Sequence, residues 1–247
     1  MEDMGDLPSL KSWLQATSPA DQITSIGRTL GTYLAHIHNE TAVDSKLRDD
    51  FSSNVVGKNI SSSVYFGGLP AAAAKYGYTD PWIAAAAKAA EAEVLTADEV
   101  WTIGDFWTGN VLVSTTDDQS VPQLAVLDLE VAKPGTAAFD LGQMGAEMLC
   151  LARFRHPEQG HLLLQTFFMA YRAKRKASVD AAAVAIRIGA HLFTMMPRAW
   201  TAESGEEKVK FALQQGFELV KIGWERDEVA LRASIVGVLM EQSVGIN

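Results

Sequence analysis

The 247-residue chain carries 21 Lys and Arg against 30 Asp and Glu, a formal net charge of −9, which argues against a nucleic-acid partner. A single cysteine, Cys150, excludes an internal disulfide and favours a reducing, cytoplasmic setting. The first ten residues lack the apolar segment of a signal peptide, and no apolar run approaches the ~20 residues that a membrane helix needs. We therefore expect one domain, residues 1–247, with no membrane contact.

Two helices are predicted before residue 100. The first begins at Pro19, and its apolar residues recur at helical spacing to about residue 38. Within it, His36 and His38 point apart and cannot share a metal ion, so we expect His38 to be a core or hydrogen-bonding residue. Pro81 opens the second helix, which is rich in alanine. The Ser- and Gly-rich residues 44–77 between the two helices are predicted to be mostly loop.

A β-hairpin is predicted near the middle of the chain. Residues 100–103 read as a short strand that leads into a polar loop. Two apolar runs follow, residues 111–113 and 124–127, on either side of a polar turn at residues 115–120. Because a hairpin brings its two ends together, we expect residues of the entering loop to lie beside residues at the exit of the second strand.

Three oxygen-bearing side chains lie at the open end of this hairpin. Asp105 and Asn110 belong to the entering loop, and Asp128 follows the second strand. Two carboxylates and an amide oxygen make a hard site of the kind that Mg²⁺ prefers, held through few protein ligands. Asp and Asn are also common turn and cap residues, which is the ordinary alternative. The combination of loop and hairpin favours the metal site, with Asp105 as the principal functional carboxylate.

The chain after the hairpin is predicted to be helical to its end. Leu141, Met144 and Met148 form one apolar stripe, so we interpret these methionines as core residues rather than cofactor contacts. With the hairpin, these elements predict a mainly α (α+β) fold, a helical bundle that carries one small hairpin. The predicted helices cover residues 139–154, 157–172, 180–195, 203–224 and 227–242.

Two segments resemble a known family. The segments GDFWTGNVLV and VLDLEVAKPGTAAFDLG are similar to motifs of the aminoglycoside phosphotransferase and choline-kinase-like family, especially its fungal small-molecule kinases. The resemblance implies a protein-kinase-like fold in which the hairpin carries the catalytic loop. It implies that Asp105 is the catalytic residue and that Asn110 and Asp128 hold Mg²⁺.

Further residues take supporting roles under this resemblance. Gly104 and Asp140 are implied as structural support, with Asp140 bracing the catalytic loop from the following helix. The family usually has His at the position of Ile103, and its replacement is expected to weaken this bracing. Glu130, two residues past Asp128, is expected to face the metal as well, because side chains at i and i+2 point the same way on an extended strand.

The resemblance covers only the C-terminal lobe of the kinase-like fold. In relatives a first lobe with a phosphate-covering loop and a strand Lys precedes the hinge, and we expect that N-terminal lobe to be absent here. The Gly67-Gly68 pair is a poor replacement, since no alternating strand precedes it. The implied parts are a hinge remnant (1–5, with Glu2, Asp3 and Met4 at the nucleotide), the catalytic loop and metal hairpin (101–130) and a helical substrate subdomain (139–247).

Three functional hypotheses remain open. The first is Mg·ATP-dependent phosphoryl transfer to a hydroxyl or amine of a small metabolite, by a lobe without its nucleotide clamp and with Mg²⁺ and ATP as cofactors. The second is another enzyme class, in which Asp105 acts as acid or base, with or without Mg²⁺, on a metabolite such as a natural-product intermediate. The third is a binding module without catalysis. Apolar surface left by the absent lobe predicts a homo-oligomer or a partner that supplies it.

Overall fold

The computed structural model describes residues 6–15, 19–114, 123–200 and 205–240, which form a mainly helical molecule with two small sheets. The predicted mainly α character is confirmed. Of the helices in these ranges, none combines the length and the apolar character that crossing a bilayer requires. The helices are α1 (Leu10–Trp13), α2 (Ala20–Val43), α3 (Lys46–Phe51), α4 (Val55–Ser62), α5 (Leu69–Ala74), α6 (Pro81–Thr96), α7 (Ala137–Phe154), α8 (Pro157–Lys174), α9 (Ala181–Thr194), α10 (Met196–Ala199), α11 (Glu206–Glu225) and α12 (Glu228–Ala233), and the strands are β1 (Val100–Thr102), β2 (Val111–Ser114), β3 (Gln123–Val126) and β4 (Lys133–Gly135).

Both sheets are antiparallel pairs, and one of them is the predicted hairpin. Strand β2 pairs with β3, with Val111 opposite Val126. The predicted turn at residues 115–120 lies outside the described residues. Strand β1 is the predicted strand before the loop, and it pairs with β4, which the sequence did not indicate. The two pairs hold the loop between β1 and β2 at its two ends.

Helix α7 lies at the centre of the molecule. Every residue of α7 except Arg153 is buried, with α8 packed on one side and α9 on another. Helix α2 packs along α8, and α11 packs along α9. Three polar side chains, Asp140, Gln143 and Glu147, are buried together with the apolar residues of α7. Burial of polar groups is costly unless they are hydrogen-bonded, so these three residues require partners.

Residues 44–77 are largely helical, so the loop predicted there is wrong. Helices α3, α4 and α5 and a π-helical turn, Ser63–Gly67, follow one another in this region. The Asn54 side chain accepts a hydrogen bond from the Gly57 N–H at 2.8 Å and so caps α4. Its amide also donates to the Ala132 carbonyl at 2.8 Å. Tertiary contacts of this kind override the weak helix propensity of Ser and Gly.

The helices predicted after the hairpin are present with small shifts at their ends, except the last. The helix predicted at residues 227–242 stops at Ala233, and a 3₁₀ turn follows at Gly237–Leu239. The Ser234 hydroxyl donates to the Leu231 carbonyl at 2.8 Å. A serine that bonds its own backbone in this way competes with the helical hydrogen bonds, which explains the early end.

Candidate active site

The loop between β1 and β2 turns at Gly104, which adopts a φ of +83°. A Cβ atom at this position would lie 2.3 Å from the Val131 carbonyl oxygen, so only glycine fits. Asp140 is fully buried and accepts the backbone N–H groups of Ile103 at 2.9 Å and Gly104 at 3.0 Å. Gly104 and Asp140, the two residues implied as structural support, are therefore in contact, and the Asp140 carboxylate of α7 fixes the start of the loop.

A histidine from another element approaches Asp140. His38 of α2 is fully buried, with Nε2 3.2 Å from an Asp140 carboxylate oxygen and Nδ1 2.8 Å from the Tyr171 hydroxyl. The prediction that His38 is a core hydrogen-bonding residue is confirmed. Ile103 lacks the side chain that the family usually has there, yet a ring nitrogen still lies next to the bracing carboxylate. His38 of α2 thus compensates for the histidine that is missing at position 103.

Asp105 is held by two amide donors. The Gln143 amide donates to Oδ1 at 2.8 Å, and the Asn110 amide donates to Oδ2 at 2.8 Å. Burial raises the pKa of Asp105, the two amide donors lower it, and the negative charge of Asp128 raises it, with a net upward shift. A half-buried carboxylate with both oxygens fixed and a raised pKa is suited to accept a proton from a bound hydroxyl.

Asn110 and Asp128 meet at the open end of the hairpin. The Leu127 N–H donates to the Asn110 carbonyl at 2.9 Å, which continues the strand pairing up to the residue before Asp128. Asp128 has a φ of +61° and an exposed side chain, and its charge acts on Asp105. The structure thus places Asn110 in contact with Asp105, and Asp128 near enough for its charge to raise the pKa of Asp105.

The donor set at this place fits a hard divalent cation. Both contacts of the Asn110 amide with Asp105 use its nitrogen, so the amide oxygen is turned away from that carboxylate. This oxygen and the Asp128 carboxylate are ligands of the kind that Mg²⁺ takes, with waters and phosphates completing the shell. Within the described ranges no group of three or more His, Cys, Asp or Glu side chains is placed to hold a metal. A Mg²⁺ ion held by few protein ligands is compatible with these two oxygen ligands and with the absence of a larger cluster in those ranges.

Glu130 does not lie on an extended strand with Asp128. Strand β3 ends at Val126, Asp128 is in the left-handed region and Glu130 lies in a turn, so the i, i+2 rule for extended strands does not apply. The Glu130 side chain is exposed, and its carbonyl accepts the Asn54 amide at 2.9 Å. A metal role for Glu130 stays a prediction without geometric support. The hinge residues Glu2, Asp3 and Met4 lie outside the described residues.

Sequence reasoning missed Gln143, which makes three hydrogen bonds, two of them to the loop. Its Oε1 accepts the Phe106 N–H at 3.0 Å, and its Nε2 donates to Asp105 at 2.8 Å and to the Tyr65 hydroxyl at 2.7 Å. Tyr65 arrives from the π-helical turn, in the region predicted to be loop. A polar residue on an otherwise apolar helix was the available signal for Gln143.

Glu147 was also missed. Its carboxylate accepts the Thr108 hydroxyl at 3.1 Å, the Trp200 indole N–H at 3.1 Å, and lies 3.0 Å from His191 Nε2. Burial raises the pKa of Glu147, but the contact with His191 and the Trp200 donor outweigh it and the pKa is lowered. An ionised Glu147 therefore links the loop between β1 and β2 to α9 and to the residue that follows α10.

Comparison with known sequences identifies the class. Residues 3–180 match the profile of the phosphotransferase enzyme family, so the chain belongs to this family of kinase-like enzymes. Similar proteins include the 4-hydroxytryptamine kinases of Psilocybe cubensis, 29% identical over 221 residues, and of Psilocybe cyanescens, 29% identical over 218 residues. The alignments cover 85% of this chain and 59% and 60% of those relatives, so the chain spans less than two thirds of their length. The family inferred from the two motifs is confirmed.

Proposed function

We propose that this chain is a kinase-like C-terminal lobe that takes part in Mg·ATP-dependent phosphoryl transfer to a small metabolite. The observation that carries the proposal is the fixed Asp105 carboxylate, held at 2.8 Å by Gln143 and by Asn110, with its pKa raised by the charge of Asp128. In phosphoryl transfer the protein contributes positioning and charge stabilisation rather than covalent chemistry, and this arrangement supplies the positioning.

The proposed roles follow from the chemistry of the side-chain oxygen atoms at the site. Asp105 accepts the proton of the acceptor hydroxyl, for which its raised pKa is an advantage. The Asn110 amide oxygen and the Asp128 carboxylate would hold Mg²⁺, which when bound neutralises charge on the phosphates. Asp140 and Gly104 keep the loop in the shape that aims Asp105. A cytoplasmic setting goes with this proposal, since the single cysteine, Cys150, is free and buried.

The acceptor proposed is a small aromatic hydroxyl compound. The two fungal relatives are named 4-hydroxytryptamine kinases, and 29% identity to both supports an acceptor of that kind for this chain. We define two test compounds. The hydroxyl probe is 4-hydroxytryptamine, and the deoxy control is tryptamine, which lacks the hydroxyl and keeps the amine.

The proposal is tested by following the transfer of labelled phosphate from [γ-³²P]ATP to the hydroxyl probe with the full chain and Mg²⁺. We expect transfer to the probe and none to the deoxy control. The Asp105→Asn variant is expected to lose on the order of 100-fold or more of the rate, because it removes the proton acceptor. Asp50→Asn, a change at an exposed aspartate, is the matched control. Equal rates for the Asp105→Asn variant and the unchanged protein would contradict the proposal.

A further inference from the structure

The side-chain amide of Gln143 has only one orientation that satisfies its partners. The Phe106 N–H at 3.0 Å needs an acceptor, so the amide oxygen must face it. The two N–H bonds of the amide are then both used, one to Asp105 at 2.8 Å and one to the Tyr65 hydroxyl at 2.7 Å. Gln143 is buried, with 4% of its surface exposed, so water does not compete for these bonds.

This orientation determines what the Tyr65 hydroxyl can do. Its oxygen accepts from Gln143, so its own proton is left to donate elsewhere. In the part of the chain that the structure describes, the Tyr65 hydroxyl makes no hydrogen bond besides the one it accepts from Gln143. Burial raises the pKa of Tyr65, as do the charges of Asp105 and Glu147, so the phenol keeps its proton. Tyr65 is therefore an oriented donor without a protein acceptor.

The Tyr65 donor and the Asp105 acceptor lie side by side. Both oxygens are within 2.8 Å of the same Gln143 nitrogen, so one ligand hydroxyl can reach both. The Tyr65 ring is fixed by an edge contact with Phe139 at 5.7 Å and by stacking on His191 at 5.9 Å. A binding group locked by packing in this way is preorganised for its ligand.

We infer that Tyr65 binds the acceptor hydroxyl by donating to its oxygen, and that Gln143 is the positioning residue that aims Tyr65 and Asp105 at that one group. The inference rests on the proposed function and narrows it. A hydroxyl oxygen has lone pairs for the Tyr65 proton and a proton for Asp105, whereas an ammonium group has no lone pair and cannot accept. The pair therefore selects hydroxyl acceptors over protonated amines as the phosphorylated group.

The first test measures binding without nucleotide, so it does not depend on phosphoryl transfer. The full chain is titrated with the hydroxyl probe and with the deoxy control by calorimetry. We expect the unchanged protein to prefer the probe by about tenfold, which is the value of one or two neutral hydrogen bonds. Tyr65→Phe keeps the ring packing and should bring the two affinities close to parity. Tyr76→Phe, at an exposed tyrosine, should leave the preference unchanged.

The second test examines the positioning role of Gln143 through coupling. Gln143→Met has similar volume and lacks all polar groups, whereas Gln143→Glu keeps an acceptor for the Phe106 N–H and loses the donors. Both should reduce the preference as Tyr65→Phe does, and the Tyr65→Phe/Gln143→Met double variant should be no worse than either single variant. A merely structural role would instead spare the preference in Gln143→Glu, which keeps the loop contact. Circular dichroism checks that each variant is folded.

The outcomes separate this inference from the proposed function. A hydroxyl preference that Tyr65→Phe abolishes supports the inference, even if no phosphate is transferred. An unchanged preference in Tyr65→Phe, no preference in the unchanged protein, or additive effects of Tyr65→Phe and Gln143→Met would overturn it. Transfer of phosphate to the probe together with an unaffected Tyr65→Phe variant would leave the proposed function standing and remove only the role of Tyr65.

Discussion

The ammonium group of Lys133 is buried next to Gly104, in the loop between β1 and β2. Its side chain is 1% exposed, with Nζ 4.2 Å from the centre of the Phe139 ring and 3.3 Å from the Val131 carbonyl oxygen. Burial lowers the pKa of Lys133 to about 8, although the negative charges of Asp140 and Asp105 raise it. The folded protein therefore holds this proton less tightly than the unfolded chain does.

Lys133→Met is expected to change how stability depends on pH. Between the folded pKa of about 8 and the ordinary lysine pKa of 10.5, the unfolded chain binds more protons, so this residue makes stability rise with pH. Replacing Lys133 with Met should remove a rise of roughly 3 kcal/mol in the free energy of unfolding across that pH interval. Urea unfolding at pH 7 and pH 10.5 measures it, with Lys88→Met at an exposed lysine as control. A difference between the unchanged protein and Lys133→Met that stays constant with pH would contradict the prediction.

At the scale of the element, one face of α7 determines the shape of the loop between β1 and β2. Asp140, Gln143 and Glu147 are spaced by three and four residues, so they share one helix face. Along this face, Asp140 holds the start of the loop, Gln143 holds its middle and Glu147 holds Thr108 near its end. The order of contacts follows the order of the chain. Only Asp140 was found from the sequence, because a family motif singled it out.

Asp140→Asn should loosen the loop. The amide nitrogen of asparagine cannot accept, so one of the Ile103 and Gly104 N–H groups loses its partner. We expect a loss of roughly 2–4 kcal/mol in unfolding free energy, because a buried charged acceptor is removed. Hydrogen exchange should show faster exchange at these two amides. Asp227→Asn is the control, since Asp227 caps α12 and Asn is an equally good cap. Unchanged exchange at Ile103 and Gly104 would refute the bracing role.

The elements that depend on local pattern were predictable from the sequence. The hairpin of β2 and β3 and the long helices α7, α8 and α9 follow apolar spacing, and they lie close to the predicted places. Residues 44–77 were predicted to be loop because Ser and Gly are poor helix formers. The helices there depend on contacts far along the chain, such as that of Asn54 with the Ala132 carbonyl, and no local pattern reveals them.

At the scale of the whole molecule, the site is assembled from distant parts of the chain. The hairpin supplies Asp105, Asn110 and Asp128, which lie close enough in sequence to be predicted together. His38 reaches Asp140 of α7 from α2, which packs along α8, and Tyr65 reaches Gln143 of α7 from a π-helical turn that packs against α6 and α9. Their contacts with α7 therefore could not be read from periodicity. The predicted homo-oligomer or partner lobe stays a prediction.

The measurement that tests the central claim most directly is calorimetric titration of the full chain with ATP, with and without Mg²⁺. Because Asn110 and Asp128 lie at the open end of one hairpin, we predict that ATP binding requires Mg²⁺. Asp128→Asn should weaken it roughly tenfold or more, since it removes the negative charge of a proposed Mg²⁺ ligand, whereas Glu130→Gln should bind as the unchanged protein does. No Mg²⁺-dependent binding, or binding that Asp128→Asn leaves intact, would contradict the account.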